Sequence, residues 1–244
     1  MTVTLNPALD LTYAVDELRP HTTHRVRAVH ERPGGKGLNV ASVLHAQGEA
    51  VLATGLLGGA TGAAVRALVG AAGLPSAFAP IAGETRRTVT ITDGADATGL
   101  WEPGPVVGGA EWDGFVAHYR ELLDGARVVT LSGSLPRGLP PDAYAVLIRA
   151  ARERGVPTVL DASGEPLRLG LAAGPDLAKP NAEELATLLG PGAGPAEVRG
   201  LVRGLLAAGC GAVVVSRGPR GLLAVTGTGS WEAAPPAAVA GNPT

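Results

Sequence analysis

The stretch "HERPGGKGLNVASVLHAQG", residues 30–48, sets three glycines around a lysine and follows them with an asparagine and an apolar run. Gly34, Gly35 and Gly37 would let backbone approach a ligand closely, and a helix opening at Asn39 would aim N–H groups at an anion. The alternative is a tight turn with Asn39 as the helix N-cap. Spacing excludes two nucleotide motifs. A Walker loop needs Ser or Thr after its lysine, where Gly37 stands, and a Rossmann fingerprint would need glycine at Val40. Of the 20 basic residues, 18 are arginines, so the two lysines, Lys36 in "GGKG" and Lys179 in "AKPN", mark places that call for a compact ammonium.

Four further stretches could do chemistry. "LSGSLPRGLPPDAY" (131–144) leaves a strand through Gly and Ser and enters a helix, and "LDAS" puts Asp161 at a strand's C-terminal end. Ligands of doubly wound sheets gather at such ends. "KPNAEE" offers Asn181 and Glu184 at i, i+3 on one helix face, an amide and a carboxylate suited to ordering hydrated Mg²⁺. The alternative there is an N-cap with acidic residues in the first turn. "SRGPRG" (216–221) joins two strands and reads otherwise as a proline–glycine turn.

These residues need a frame to hold them. Short apolar segments at 2–5, 50–57, 127–133, 156–163, 176–181 and 212–218 read as buried strands, and amphipathic segments ending in glycine lie between them. That alternation predicts an α/β fold, a doubly wound, mostly parallel sheet covered on both faces. Two segments break the rhythm. "HRVRAVHER" (24–32) alternates like a strand with one wet face, and "TRRTVTITDGADATGLW" (85–101) reads as a hairpin turning at Asp93-Gly94. They predict a small β lid, with strands around 11–30 and 85–101.

Composition narrows the functions. A net charge of −2 without a basic patch argues against nucleic acid. There is no apolar run of membrane-spanning length and no signal-peptide pattern at the N-terminus, and Cys210 is the one cysteine, so a cytoplasmic protein is expected.

In order, "TLNPALD", "PGGKGLNVA", "GGATG", "TRRTVTI", "SGSLPRG", "DAS", "KPNAEE" and "SRGPRG" resemble the ribokinase-like carbohydrate kinases of the phosphofructokinase B branch. "GGKG" with "TLNPALD" is most similar to the 1-phosphofructokinases and tagatose-6-phosphate kinases. The resemblance covers essentially the whole chain and implies a ribokinase-like kinase domain over residues 1–244. It implies that the first glycine loop serves the sugar. Asp10 would bind sugar hydroxyls; Gly35, Lys36, Gly37, Asn39 and Ser134 would frame the phosphosugar; Arg86, assisted by Arg25, would hold its phosphate. Lys179, Ser216, Gly218 and Gly221 would contact ATP, and Asn181, Glu184 and Asp161 would order Mg²⁺. The implied reaction moves the γ-phosphoryl group of ATP to a hydroxyl of a phosphosugar, favouring fructose 1-phosphate over tagatose 6-phosphate or fructose 6-phosphate. A homodimer through the lid strands is implied too.

The family's Gly-Ala-Gly-Asp motif, whose aspartate is the base, would follow "VAGNPT" (239–244). The catalytic aspartate is therefore expected beyond Thr244, and none of the aspartates present takes the base role by motif. On that reading the 244-residue chain lacks its C-terminal part and is expected to be inactive. A non-catalytic sugar-phosphate-binding protein is the corresponding alternative.

Overall fold

The computed structural model describes residues 1–94, 96–189 and 195–235. The "VAGNPT" segment that ends at Thr244 lies outside the described residues, and with it the expectation about a catalytic aspartate beyond Thr244. Chain order gives β1 (Thr2–Thr4), β2 (Ala8–Ala14), β3 (Ala28–Gly34), α1 (Lys36–Ala46), β4 (Ala53–Gly58), α2 (Gly59–Ala71), β5 (Ser76–Ile81), β6 (Arg86–Thr92) and β7 (Ala97–Trp101). There follow α3 (Gly109–Leu122), β8 (Val129–Ser132), α4 (Ala143–Glu153), β9 (Thr158–Asp161), α5 (Gly164–Ala172), β10 (Leu177–Ala178), α6 (Ala182–Leu189), α7 (Pro195–Ala207), β11 (Ala212–Ser216), β12 (Leu222–Thr226) and β13 (Ser230–Ala233).

Nine strands form the main sheet in the order β13-β12-β11-β10-β9-β8-β1-β4-β5. All neighbours are parallel except β11–β12 and β12–β13. The inner strands are short and apolar because helices cover them; β4 is buried at every residue. β1 lies between β4 and β8, so the chain winds outward in both directions from it. Such a reversal opens a crevice beyond the carboxyl ends of the strands. Register aligns those ends: Ser132 pairs with Asp161, and Lys179 follows Ala178, which pairs with Leu160 and Val213.

The lid is a second sheet in the order β3-β2-β6-β7. Its root belongs to the body's core: Leu9 and Leu11 of β2 pack with Leu38 of α1, Val65 and Val69 of α2, and Phe78 of β5. A second cluster, with Phe115 and Tyr119 of α3, Leu131 of β8 and Leu147 of α4, fills the body.

The frame agrees with the α/β reading, with local corrections. β3 begins at Ala28, not His24, and the last pair of the hairpin is Thr92 with Ala97. β5 and α5 carry weak signals in the sequence. Pro80 weakens the strand signal and is tolerated because β5 is an edge; Gly164, Pro166 and Gly170 mask the helix.

Glycine at position 37 is a packing requirement. A Cβ there would sit 2.5 Å from Thr4 Oγ1 and 2.7 Å from the Val3 carbonyl oxygen, so α1 could not lie this close to β1. Gly37→Ala is expected to cost about 2 kcal/mol and lower the unfolding midpoint by roughly 4–8 °C. Gly114, inside α3 with nothing within 4 Å of an added Cβ, is the control: Gly114→Ala should stabilise by roughly 0.5–1 kcal/mol. Paired thermal melts check both signs.

Candidate functional site

The helix carrying the first glycine loop starts four residues earlier than a cap at Asn39 would require. Gly35 is the N-cap at φ 110°, Lys36 is the first helical residue, and the Asn39 N–H bonds the Gly35 carbonyl at 2.9 Å. Only glycine adopts that φ without strain. Asn39 is therefore an exposed first-turn residue and not the cap. The glycines meet protein atoms rather than open space: Gly35 faces Thr4, Gly37 faces Val3 and Thr4, and Gly34 faces the Asp10 carboxyl group.

Helix starts at the carboxyl ends of β3 and β4 differ in charge. At α2, within "GGATG", Glu84 Oε2 accepts from the Ala60 N–H at 3.2 Å and Oε1 from the Thr61 N–H at 2.5 Å. Those bonds, that of Thr61 foremost, hold the Glu84 carboxyl below its ordinary range. The start of α1 has no acidic residue in its first turn and no side-chain cap.

Beside that uncapped start the chain's two lysines meet. Lys36 Nζ lies 3.2 Å from Asp161 Oδ1, and Lys179 Nζ lies 3.1 Å from Asp161 Oδ2. The Asp161 side chain is 14% exposed, against 51% and 42% for the lysines, so the ammonium groups face solvent around an inner carboxylate. Backbone fixes the anchor: the Gly133 N–H donates to the Asp161 carbonyl at 2.9 Å, and the buried Tyr144 hydroxyl donates to the Gly133 carbonyl at 3.0 Å. Burial, then the Asp161 charge, pushes the Tyr144 phenol well above its ordinary range and keeps it a donor.

A second group forms where the lid joins the body. Register sets Asp10 of β2 between Arg32 of β3 and Thr88 of β6. Arg32 Nε lies 3.5 Å from Asp10 Oδ2. Arg86 Nε donates to the Asn6 carbonyl at 3.3 Å, and Asn6 Nδ2 donates to Ser134 Oγ at 3.0 Å. A carboxylate, a guanidinium and a serine hydroxyl thus converge from two sheets, which suits a ligand with hydroxyls and an anionic group. Arg32 and Asn6 escape a reading by motif: the first joins Asp10 only through strand register, the second only through folding.

Arg25 lies apart from its expected partner, and the residues expected to order a metal make protein contacts of their own. Arg25 lies in the β2–β3 connection, beyond the pair Ala14–Ala28, whereas Arg86 pairs with Ala8. Six residues of strand, about 20 Å, separate those ends, so Arg25 does not join Arg86 within one chain. Asn181 and Glu184 form a capping box on α6: the Glu184 N–H donates to Asn181 Oδ1 at 2.7 Å and the Asn181 N–H to Glu184 Oε2 at 2.8 Å. Both Asp161 oxygens already meet a lysine, and no group of three His, Cys, Asp or Glu residues placed to hold a metal exists among the described residues. Glu184 Oε1 keeps no partner among the described residues, which fits a Mg²⁺ ion bound mainly through water and phosphate oxygens. Ser216 closes β11 beside Asn181, and Gly218 and Gly221, at φ 58° and 77°, flank the turn that follows.

Asp10 supports a further test. Burial raises its carboxyl above the ordinary value; the Arg32 charge, bonds from Thr88 and Arg32, and the Arg86 charge oppose this less strongly. A carboxyl with a raised folded-state pKa costs stability once ionised, so the penalty is absent below its unfolded pKa and full above its folded one. Asp10→Asn should therefore raise the unfolding midpoint at pH 7 by about a degree, with the gain vanishing near pH 3. Thermal melts at the two pH values check it.

Residues 4–244 match the pfkB family carbohydrate kinase description. Phosphofructokinase-2 from Escherichia coli in complex with fructose-6-phosphate superposes with a TM-score of 0.90 at 30% identity, over 99% of this chain and 81% of that one. The tetrameric inhibited form of the same enzyme gives 0.90 at 30% identity over 98% and 80%. A possible 1-phosphofructokinase from Thermotoga maritima gives 0.85 at 29% identity over 94% and 75%. The family pattern reaches Thr244, and nothing in these matches supports the expectation of an inactive protein. With that pattern spanning nearly its whole length and the same fold around the site, the chain belongs to the pfkB family of carbohydrate kinases.

Proposed function

We propose that the chain is an ATP-dependent phosphosugar kinase that converts fructose 1-phosphate to fructose 1,6-bisphosphate. The observation that carries this reading is the convergence of two chemically distinct groups at the switch point of the sheet. Asp10, Arg86 and Ser134 form one, and the bridged pair Lys36 and Lys179 forms the other. The first suits a sugar with a resident phosphate. Asp10 accepts from hydroxyls, and Arg86, with Arg32 near, meets the dianion. Gly35, Gly37 and Asn39 then shape the pocket as the start of α1 and need not touch the sugar.

Lys36 takes a different part from that implied by the resemblance. Its ammonium pairs with Asp161, which also holds Lys179, so we place it with the transferring phosphoryl group. Each ammonium has three donors, and the Asp161 bond leaves others for phosphate oxygens. In the transfer the sugar hydroxyl oxygen bonds to the γ-phosphorus as the β–γ bridge bond breaks. Paired cations and the open start of α1 offset the charge that develops. ATP would lie along Lys179, Ser216, Gly218 and Gly221. Mg²⁺ would supply charge neutralisation there, held through Glu184 and Asn181 with Asp161 near. The hydroxyl proton passes to a general base as ADP leaves, and binding is the readout that does not depend on that step.

Two copies pairing through their lids is part of this reading. The sheet's edges are β3 and β7, and Val29, Leu100 and Trp101 are 53%, 56% and 75% exposed. The buried, free thiol of Cys210 fits a cytoplasmic setting.

Titration calorimetry of fructose 1-phosphate, with fructose as control, tests the assignment. Saturable binding of the ester alone, weakened about tenfold or more in Arg86→Ala, is expected. Tighter binding of tagatose 6-phosphate or fructose 6-phosphate would move the substrate within the class, and equal binding of fructose would overturn the resident-phosphate assignment. Light scattering should give twice the chain mass for the parent and one chain mass for Trp101→Glu; a monomeric parent would remove the lid dimer.

A further inference from the structure

Asn6 stands on the short link between β1 and β2, where the body becomes the lid. It is 8% exposed and touches two residues of the proposed phosphosugar group from opposite sides. Its Nδ2 donates to Ser134 Oγ at 3.0 Å, and its main-chain oxygen accepts from Arg86 Nε at 3.3 Å. A third segment clamps it. An added Cβ on Gly104 would fall 2.4 Å from Asn6 Oδ1 and 3.0 Å from Nδ2, and Arg137 Nε holds the Gly104 carbonyl at 3.1 Å.

The amide oxygen of Asn6 is buried and has no hydrogen-bond partner among the described residues. Leaving such an atom unpaired costs about 1–3 kcal/mol. Turning the amide over would let Oδ1 accept the Ser134 proton but would put Nδ2 where Oδ1 now lies, against Gly104, and break its bond to Ser134. The orientation present keeps the amide as donor and Ser134 as acceptor. A serine hydroxyl has one proton and two lone pairs. Because Asn6 occupies a lone pair, the Ser134 proton stays free, and Ser134 is exposed and open to a ligand.

We propose that Asn6 is a positioning residue that makes Ser134 an obligate donor to an oxygen of the bound phosphosugar. The inference rests on the phosphosugar reading above and adds the residue that sets the polarity of one of its contacts. The Arg86 contact uses main chain, so side-chain substitution leaves that arm in place. Asn6→Asp is the sharp probe: a carboxylate accepts the Ser134 proton and turns it inward. Asn6→Ala removes the orientation without reversing it.

The test is calorimetric binding of fructose 1-phosphate to the full chain, its Asn6→Ala, Asn6→Asp and Ser134→Ala variants, and both double variants, with thermal melts confirming folding. Asn6→Asp is expected to weaken binding about tenfold and Asn6→Ala about threefold. On the Ser134→Ala background either change should cost less than about twofold, because the hydroxyl that Asn6 orients is gone. A merely structural role would not give that non-additivity. If the Asn6 variants bind as the parent does, or their losses add in full to that of Ser134→Ala, the inference fails while the phosphosugar reading stands. If Asn6→Asp does not fold, the alanine cycle decides alone. A parent chain that binds no phosphosugar overturns both.

Discussion

The carboxylate of Asp161 holds together two cations that would otherwise repel. Lys36 reaches it from the first residue of α1, and Lys179 reaches it from the residue after β10. Much of the surrounding geometry serves that meeting. Parallel register brings the ends of β8, β9 and β10 level, Gly35 lets α1 begin at Lys36, and Gly37 lets α1 lie on β1. Arginine serves almost everywhere else in the chain, but its planar fork would pair bidentately with Asp161 and leave less for a ligand. An ammonium spends one donor and keeps the rest.

The second constraint is the closeness of the lid to the body. Leu9 and Leu11 tie β2 into the core under α1 and α2, so the base of the lid is part of the packed interior. Asp10 can then be half-buried without drifting, pressed against Gly34 and flanked by Arg32 and Thr88. The same link carries Asn6, and through it the lid's Arg86 and the body's Ser134 keep a set distance. Glycine recurs here for lack of room: a side chain at Gly34, Gly37 or Gly104 would strike Asp10, β1 or Asn6.

Much of this could be read from the chain as letters, because parallel strands advertise themselves as short apolar runs and their ends as loops rich in Gly, Ser and Asp. That pattern predicts Asp161, Lys179 and Ser216 at strand ends; Asp161 and Ser216 close β9 and β11, and Lys179 follows β10. The scarcity of lysine singled out Lys36 and Lys179, but no local pattern could reveal that they share a carboxylate. Asn181 and Glu184 show the reverse difficulty: i, i+3 spacing at a helix start suits a capping box as well as a metal, and the box is formed with one Glu184 oxygen left over. Arg32 and Asn6 give no local signal because their partners come from cross-strand register and from a loop more than a hundred residues away. Glu84 was silent for the same reason, since only the fold brings it to the start of α2.

The central claim is that Lys36 and Lys179 act together on the transferring phosphoryl group while the resident phosphate is held by Arg86. The most direct measurement compares the affinities of a non-hydrolysable ATP analogue, ADP and fructose 1-phosphate for the parent chain and for Lys36→Gln. The account predicts about a tenfold loss for the triphosphate, with ADP and fructose 1-phosphate unchanged within about twofold. An unchanged preference for triphosphate over diphosphate, together with a large loss of fructose 1-phosphate affinity, would place Lys36 on the resident phosphate and contradict it.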